Sequence, residues 1–269
     1  MALQSAIITV MIGAARKASS RLKRDFGEIE NLQVSKKGPG DFVSAADIRT
    51  EKFLRDELSR ARPDYGFLME ESGEFVGVDA NRRWIVDPID GTTNFLHGIP
   101  HFAISIGLEE NGKLIAGVVY EPIGDQMYWA EAGAGAHLNG RRLRVSARNR
   151  FEHALFSTGF PLIARHDDDR ARFLRELAAV TSASAGVRRM GTASLDLAYV
   201  AAGLFEGHWE SGLNPWDMAA GIVLVREAGG FVTDLTGGPD IFETGGIVAA
   251  NSHLHPQLVK TLVDARSSA

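Results

Sequence analysis

Residues 84 to 95 read Trp84-Ile85-Val86-Asp87-Pro88-Ile89-Asp90-Gly91-Thr92-Thr93-Asn94-Phe95, and the organisation of the whole chain turns on this stretch. The β-branched pair Ile85-Val86 predicts a strand that delivers Asp87 to its end. Pro88 lacks a backbone donor and is expected to stop the ladder there. Asp90-Gly91 is a strong turn pair, and Thr92-Thr93 opens a helix whose first amides and hydroxyls point outward. Such a junction suits an anion at the helix start, and two carboxylates three residues apart suit hard cations beside a phosphate. The same residues also make an ordinary Asp-Gly turn with one capping carboxylate, and by themselves they do not choose between the two readings.

Composition narrows the classes. The 29 basic and 34 acidic side chains leave a net charge of −5, so no nucleic-acid partner is expected on electrostatic grounds. A 45% hydrophobic content fits an ordinary globular chain, which at this size buries roughly three quarters of its unfolded surface. One compact unit over residues 1–269 is expected, with an N-terminal α+β half to about 150 and a C-terminal α/β half from about 151. There is no cysteine, which excludes disulfides, thiolate chemistry and Cys-ligated zinc and fits a cytoplasmic protein. The apolar run Ala6 to Ala15 is followed rather than preceded by its charges (Arg16, Lys17, Arg21), the reverse of a signal peptide. Leu3, Ile7, Val10, Met11, Ala14 and Leu22 keep a helical spacing instead. No apolar run approaches the ~18 residues that span a bilayer, so no membrane partner is expected.

Along the rest of the chain, Asn31 to Phe42, with Lys36-Lys37-Gly38-Pro39-Gly40, reads as a loop. Ser44 to Asp47 reads as a capping box opening a helix to about Ala61, with Ile48, Leu54 and Leu58 on one face. Tyr65 to Met69 is a predicted strand with Glu70 at its C-terminal end, where α/β architectures place ligands. Three strands follow over 102–108, 113–120 and 126–130, the first two joined through Asn111-Gly112, and another is expected over Arg142 to Val145. Beyond these, helices are expected over Asp167 to Ser182 (core face Phe173, Leu174, Leu177, Val180) and Ala193 to Ala202. Phe205 to Ser211 is a predicted strand carrying Glu210. Asn214-Pro215-Trp216-Asp217 opens the next helix, where Asp217 already has an explanation as a favourable charge at a helix start. A strand over Gly246 to Ala250 and a terminal helix from Pro256 complete the chain.

Taken together, Glu70-Glu-Ser, Asp87-Pro-Ile-Asp90-Gly-Thr92-Thr, Gly191-Thr-Ala-Ser and Trp216-Asp217-Met-Ala-Ala-Gly221 resemble, in order and spacing, the signatures of the inositol monophosphatase family, in particular its bacterial branch. The resemblance implies a layered α-β-α-β-α sandwich (α+β / α/β), a homodimer, Mg2+ as cofactor and sensitivity to lithium. It implies one magnesium on Glu70, Asp87 and the carbonyl of Ile89, and a second on Asp87, Asp90 and Asp217. It further implies a cation-activated water as nucleophile, with Glu70, Thr92 and Asp47 as catalytic residues, Thr92 and Asp47 relaying the proton. Phosphate oxygens are expected on the amides of Gly91 and Thr92, and substrate hydroxyls on Asp90, Glu210 and the backbone at Ala193.

The activity so implied is hydrolysis of a phosphate monoester, myo-inositol monophosphate first. Fructose 1,6-bisphosphate, histidinol phosphate and 3′-phosphoadenosine 5′-phosphate are alternatives within the class. A regulatory or RNA-associated binding protein that retains the site is the alternative outside it.

Overall fold

Two amphipathic helices, α1 (Ala6–Gly27) and α2 (Ala45–Ala61), lie side by side as the first layer of a computed structural model that describes residues 4–28, 34–38, 41–160 and 167–267. Each is started by a serine. Ser5 Oγ accepts from the Ile8 amide at 3.2 Å, and the predicted capping box forms, the Ser44 amide donating to Asp47 Oδ2 at 2.8 Å. Ile8, Met11, Ala15 and Leu22 are buried on α1, and Leu54 and Leu58 on α2; Leu3 lies outside the described residues. Ile48 is 57% exposed, contrary to expectation. Six residues from Leu54, it points about 120° away around the helix.

These helices cover one face of an eight-stranded sheet. Its strands are β3 (Tyr65–Met69), β4 (Gly73–Phe75), β5 (Asp79–Asp90), β6 (Ala103–Glu110), β7 (Lys113–Glu121), β8 (Gln126–Glu131), β9 (Gly135–Leu138) and β10 (Arg141–Arg142), in the order β10-β9-β8-β7-β6-β5-β3-β4. Among the described residues of this sheet, only β3 and β5 pair in parallel. The β6–β7 hairpin turns at Asn111 (φ 52°) and Gly112 (φ 72°), the pair of left-handed residues that a tight hairpin needs. The strand expected over Arg142 to Val145 is confined to Arg141–Arg142.

On the other face lie α5 (Ala193–Ala201) and α6 (Pro215–Glu227), sandwiched between this sheet and a second one. α6 can lie flat on the first sheet because glycines face it: a Cβ on Gly107 would come 2.8 Å from Ala219 Cβ, and one on Gly117 2.5 Å from the Ala220 carbonyl. The second sheet comprises β11 (Leu155–Thr158), β12 (Gly186–Arg188), β13 (Gly207–Ser211), β14 (Phe231–Thr233) and β15 (Gly246–Ala250), in the order β12-β11-β13-β15-β14. α4 (Asp167–Ala183) and α8 (His255–Ser267) close its far side, and a single turn, α7 (Ile241–Thr244), precedes β15. Three apolar clusters fill the interfaces, and the architecture is the expected α-β-α-β-α sandwich. No helix among the described residues is long and apolar enough to cross a membrane.

Three further expectations are corrected. Within the predicted loop, β1 (Val34–Gly38) and β2 (Asp41–Ser44) are strands paired antiparallel; lysine and glycine composition hid a hairpin. On α4, Leu174 is 52% exposed while Glu176 is buried, its charge met by Arg266, whose Nε donates to Glu176 Oε1 at 2.6 Å. Finally, β5 does not stop at Pro88 but runs on to Asp90.

Candidate active site

The continuation of β5 past Pro88 brings the two aspartates together. Asp87 pairs with Ser105 and Asp90 with Ala103, so three steps on β5 span two on β6. The extra residue is a bulge at the proline, where a missing amide does least harm. In a regular strand, side chains three apart point to opposite faces. The bulge turns Asp90 back to the side of Asp87, and both line one cleft of about 220 Å3.

Each neighbour arrives from a different element. The Glu70 amide, just past β3, donates to the Val86 carbonyl at 3.2 Å, which sets Glu70 beside Asp87. Asp217 sits in the first turn of α6 and accepts from the Asn214 amide at 2.7 Å. The α6 start is tied to β6 through Ser105 Oγ, which donates to the Trp216 carbonyl at 3.2 Å. The Ser194 amide of α5 donates to Asp90 Oδ2 at 2.6 Å. Gly91 takes φ 94°, and a Cβ there would collide with Thr192 Oγ1. Thr92 starts a one-turn helix, α3 (Thr92–Leu96). Its hydroxyl lies 3.1 Å from Asp47 Oδ1 and 3.0 Å from the Ile89 carbonyl, two acceptors for a single proton.

The cleft is thus lined by Glu70, Asp87, Ile89, Asp90, Gly91, Thr92, Ala193, Glu210 and Asp217. Asp47 stands directly behind, fully buried and reached through Thr92. Glu210, on β13, lies against Gly159, where any Cβ would overlap its carboxylate.

The electrostatics are those of carboxylates forced together. Burial, and then the charges of Glu70, Asp90 and Asp217, push Asp87 well above the usual carboxylate range. Burial, and then Asp90, does the same to Asp217. Asp90 is raised to about 7 by burial, against the opposing bond from Ser194. Burial also raises Asp47, with Ser44 opposing. Oxygen-rich and mutually repelling, the group is short of positive charge.

Sequence comparison decides what the cleft belongs to. The model of the inositol monophosphatase family matches residues 3–267. The chain belongs to the inositol monophosphatase family. It is 53% identical to an inositol-1-monophosphatase of Mesorhizobium japonicum, over 96% of this chain and 97% of that one. A Nus factor SuhB of Pseudomonas aeruginosa is 42% identical over 95% of each chain. In structure, the extragenic suppressor protein suhB of Bartonella henselae superposes with a TM-score of 0.93 at 56% identity, covering 96% of this chain and 98% of that one.

Other charged residues at this site escaped the sequence reading. Among the described residues lining the cleft, Arg189 is the cationic one, its guanidinium 5.5 Å from the Phe160 ring centroid. Asp196 on α5 is buried, and burial followed by the charge of Glu210 pushes its carboxyl well above the usual range. His208 on β13 is also buried, and donor atoms of Asp196, His208 and Glu210 lie within 4.8 Å of one another. A lone Asp inside the apolar run Ser194-Leu-Asp-Leu-Ala198 was the available signal for the first of these.

Proposed function

We propose that the chain is a magnesium-dependent phosphomonoesterase that hydrolyses myo-inositol monophosphate to inositol and inorganic phosphate. The observation that carries this reading is the convergence of Glu70, Asp87, Asp90 and Asp217 from β3, β5 and α6 on one cleft beside Thr92. The donor set fits magnesium, which takes oxygen ligands and retains waters. Glu70, Asp87 and the Ile89 carbonyl are assigned to one ion, and Asp87, Asp90 and Asp217 to another. Bound there, the ions supply the positive charge the cluster lacks and acidify water.

The remaining roles belong to the protein itself. Thr92 Oγ1, with Asp47 behind it, takes a proton on one side and gives one up on the other, a two-residue relay into a buried carboxylate. Glu70 borders the same place. The amides of Gly91 and Thr92 hold phosphate oxygens. On the alcohol side, Asp90, Glu210 and the backbone at Ala193 accept or offer hydrogen bonds to ring hydroxyls. Phosphate release from inositol monophosphate during a magnesium titration tests the reading, and no release at any magnesium concentration would refute it.

Lithium inhibition, a homodimer and a cytoplasmic location complete the proposal, on the strength of family membership. The likeness to a protein named Nus factor SuhB favours, as a second reading, a regulatory binding role alongside the site. A salt-sensitive RNA complex formed without phosphate release would place that reading first.

A further inference from the structure

Behind the substrate side of the cleft lies a group of buried polar atoms that the phosphatase reading does not use. Asp196 is 1% exposed, and neither of its carboxylate oxygens makes a well-formed hydrogen bond, although Ser157 is close enough to favour its charged form. His208 is fully buried, and its Nε2 likewise has no hydrogen-bond partner. The other ring nitrogen, Nδ1, lies 3.0 Å from Ser157 Oγ on β11. With the proton on Nδ1, donated to that hydroxyl, Nε2 carries a lone pair, and Glu210 Oε2 lies 3.4 Å from it.

Two carboxylates facing an imidazole lone pair repel one another unless a proton or a cation sits between them. Buried polar atoms are almost always satisfied, so orphans from two residues facing a third ligand-type side chain mark a missing occupant. An anchored Nδ1 and a bare Nε2 are also how proteins prepare histidine for a metal. A tetrahedral shell with bonds of ~2.1 Å puts neighbouring ligand atoms about 3.4 Å apart, which the His208–Glu210 separation of 3.4 Å already matches.

We propose that Asp196, His208 and Glu210 bind a divalent transition cation of the zinc class, distinct from the magnesium ions, and that its binding withdraws Glu210 from the substrate. The imidazole nitrogen selects against magnesium, which prefers oxygen, and for zinc and its neighbours. Glu210 lines the cleft, so the site is reached from the substrate side. The withdrawal half of the proposal rests on Glu210 reading substrate hydroxyls; the binding half does not.

Equilibrium dialysis with zinc, in saturating magnesium, tests the binding half on wild type, Asp196→Asn, His208→Gln and, as a control at the catalytic carboxylates, Asp217→Asn. Wild type and Asp217→Asn are expected to retain one zinc that magnesium does not displace. Asp196→Asn and His208→Gln should each weaken that zinc at least about tenfold. Magnesium-dependent hydrolysis of p-nitrophenyl phosphate by Asp196→Asn, the isosteric variant, reports that it is folded. Cobalt added to wild type should give the absorption of a tetrahedral nitrogen–oxygen site, a readout that needs no variant. Equal zinc binding by all four proteins, loss only in Asp217→Asn, or no cobalt spectrum would overturn the site.

For the second half, zinc should inhibit hydrolysis of inositol monophosphate more than that of p-nitrophenyl phosphate, and the difference should vanish in Asp196→Asn. Zinc bound at this site with equal effects on the two substrates would overturn the withdrawal of Glu210 while leaving the site standing.

Discussion

Thr92 Oγ1 lies 3.1 Å from Asp47 Oδ1, a hydrogen bond that crosses 45 residues of sequence and joins the turn after β5 to the start of α2. Asp47 is held from the other side by Ser44, whose amide and hydroxyl donate to Oδ2 at 2.8 and 2.6 Å. One carboxylate therefore caps a helix and faces the cleft through Thr92.

The two duties separate by measurement. Asp47→Asn keeps the shape but exchanges an acceptor for a donor, and should cost the helix start only about 1 kcal/mol. If the relay operates, turnover should fall about 10²- to 10⁴-fold in Asp47→Asn and in Thr92→Val. Melting temperatures beside steady-state rates check this; a loss of stability with full turnover would reduce Asp47 to a cap.

Cation binding should reverse the pH dependence of stability. Asp87, Asp90 and Asp217 all have carboxyls raised in the folded state, Asp90 from 3.8 to about 7. The folded protein thus keeps protons that the unfolded chain releases. Their stabilising contribution is fully present below the unfolded carboxylate range and is lost as pH rises toward 7. Without divalent ions the melting temperature should fall across that window, and added magnesium should raise it more at pH 7.5 than at pH 5. A magnesium increment independent of pH would contradict this.

Glu210 should matter for one kind of substrate. Losing a hydrogen bond to a charged group costs ~1.5 to 3 kcal/mol, or about 10- to 150-fold in kcat/KM for inositol monophosphate. p-Nitrophenyl phosphate has no ring hydroxyls and should hardly respond to Glu210→Gln. Equal losses on both substrates would make Glu210 a support of the metal ligands instead.

The glycine beneath it gives an independent handle. Because a Cβ on Gly159 would overlap the Glu210 carboxylate, Gly159→Ala must push that side chain aside. The variant should lose about 1 to 3 kcal/mol of stability and shift substrate preference in the same direction as Glu210→Gln. Unchanged preference in a folded Gly159→Ala would mean that the carboxylate is not held where the hydroxyls bind.

Much of this was legible in the sequence because its signals are local. The capping box of α2, the Asn-Gly turn at 111–112, the Asn-Pro start of α6 and the apolar spacing of α1 each depend on a few adjacent residues. Glu70, Asp87, Asp90, Thr92, Glu210 and Asp217, singled out by family resemblance, share the wall of one cleft. What the sequence hid depends on distant partners. Pro88 reads as a stop, and only the register of β6 reveals a bulge that lets β5 continue. Leu174 reads as core, yet Glu176 is the residue buried, because Arg266, 90 residues later, meets its charge. Asp196 and His208 lie 12 residues apart on a helix and a strand, and only the fold makes them neighbours.

Asp87 is central to the assignment because it is the one carboxylate given to both magnesium ions. Asp87→Asn is nearly isosteric, so it tests charge and ligation rather than packing. Phosphate release from inositol monophosphate by purified wild type and Asp87→Asn, across a magnesium titration, is the most direct measurement. Magnesium-dependent release by the wild type, abolished in a folded Asp87→Asn at every magnesium concentration, is the predicted result. Normal hydrolysis by Asp87→Asn at moderate magnesium would contradict the two-ion assignment at its shared ligand.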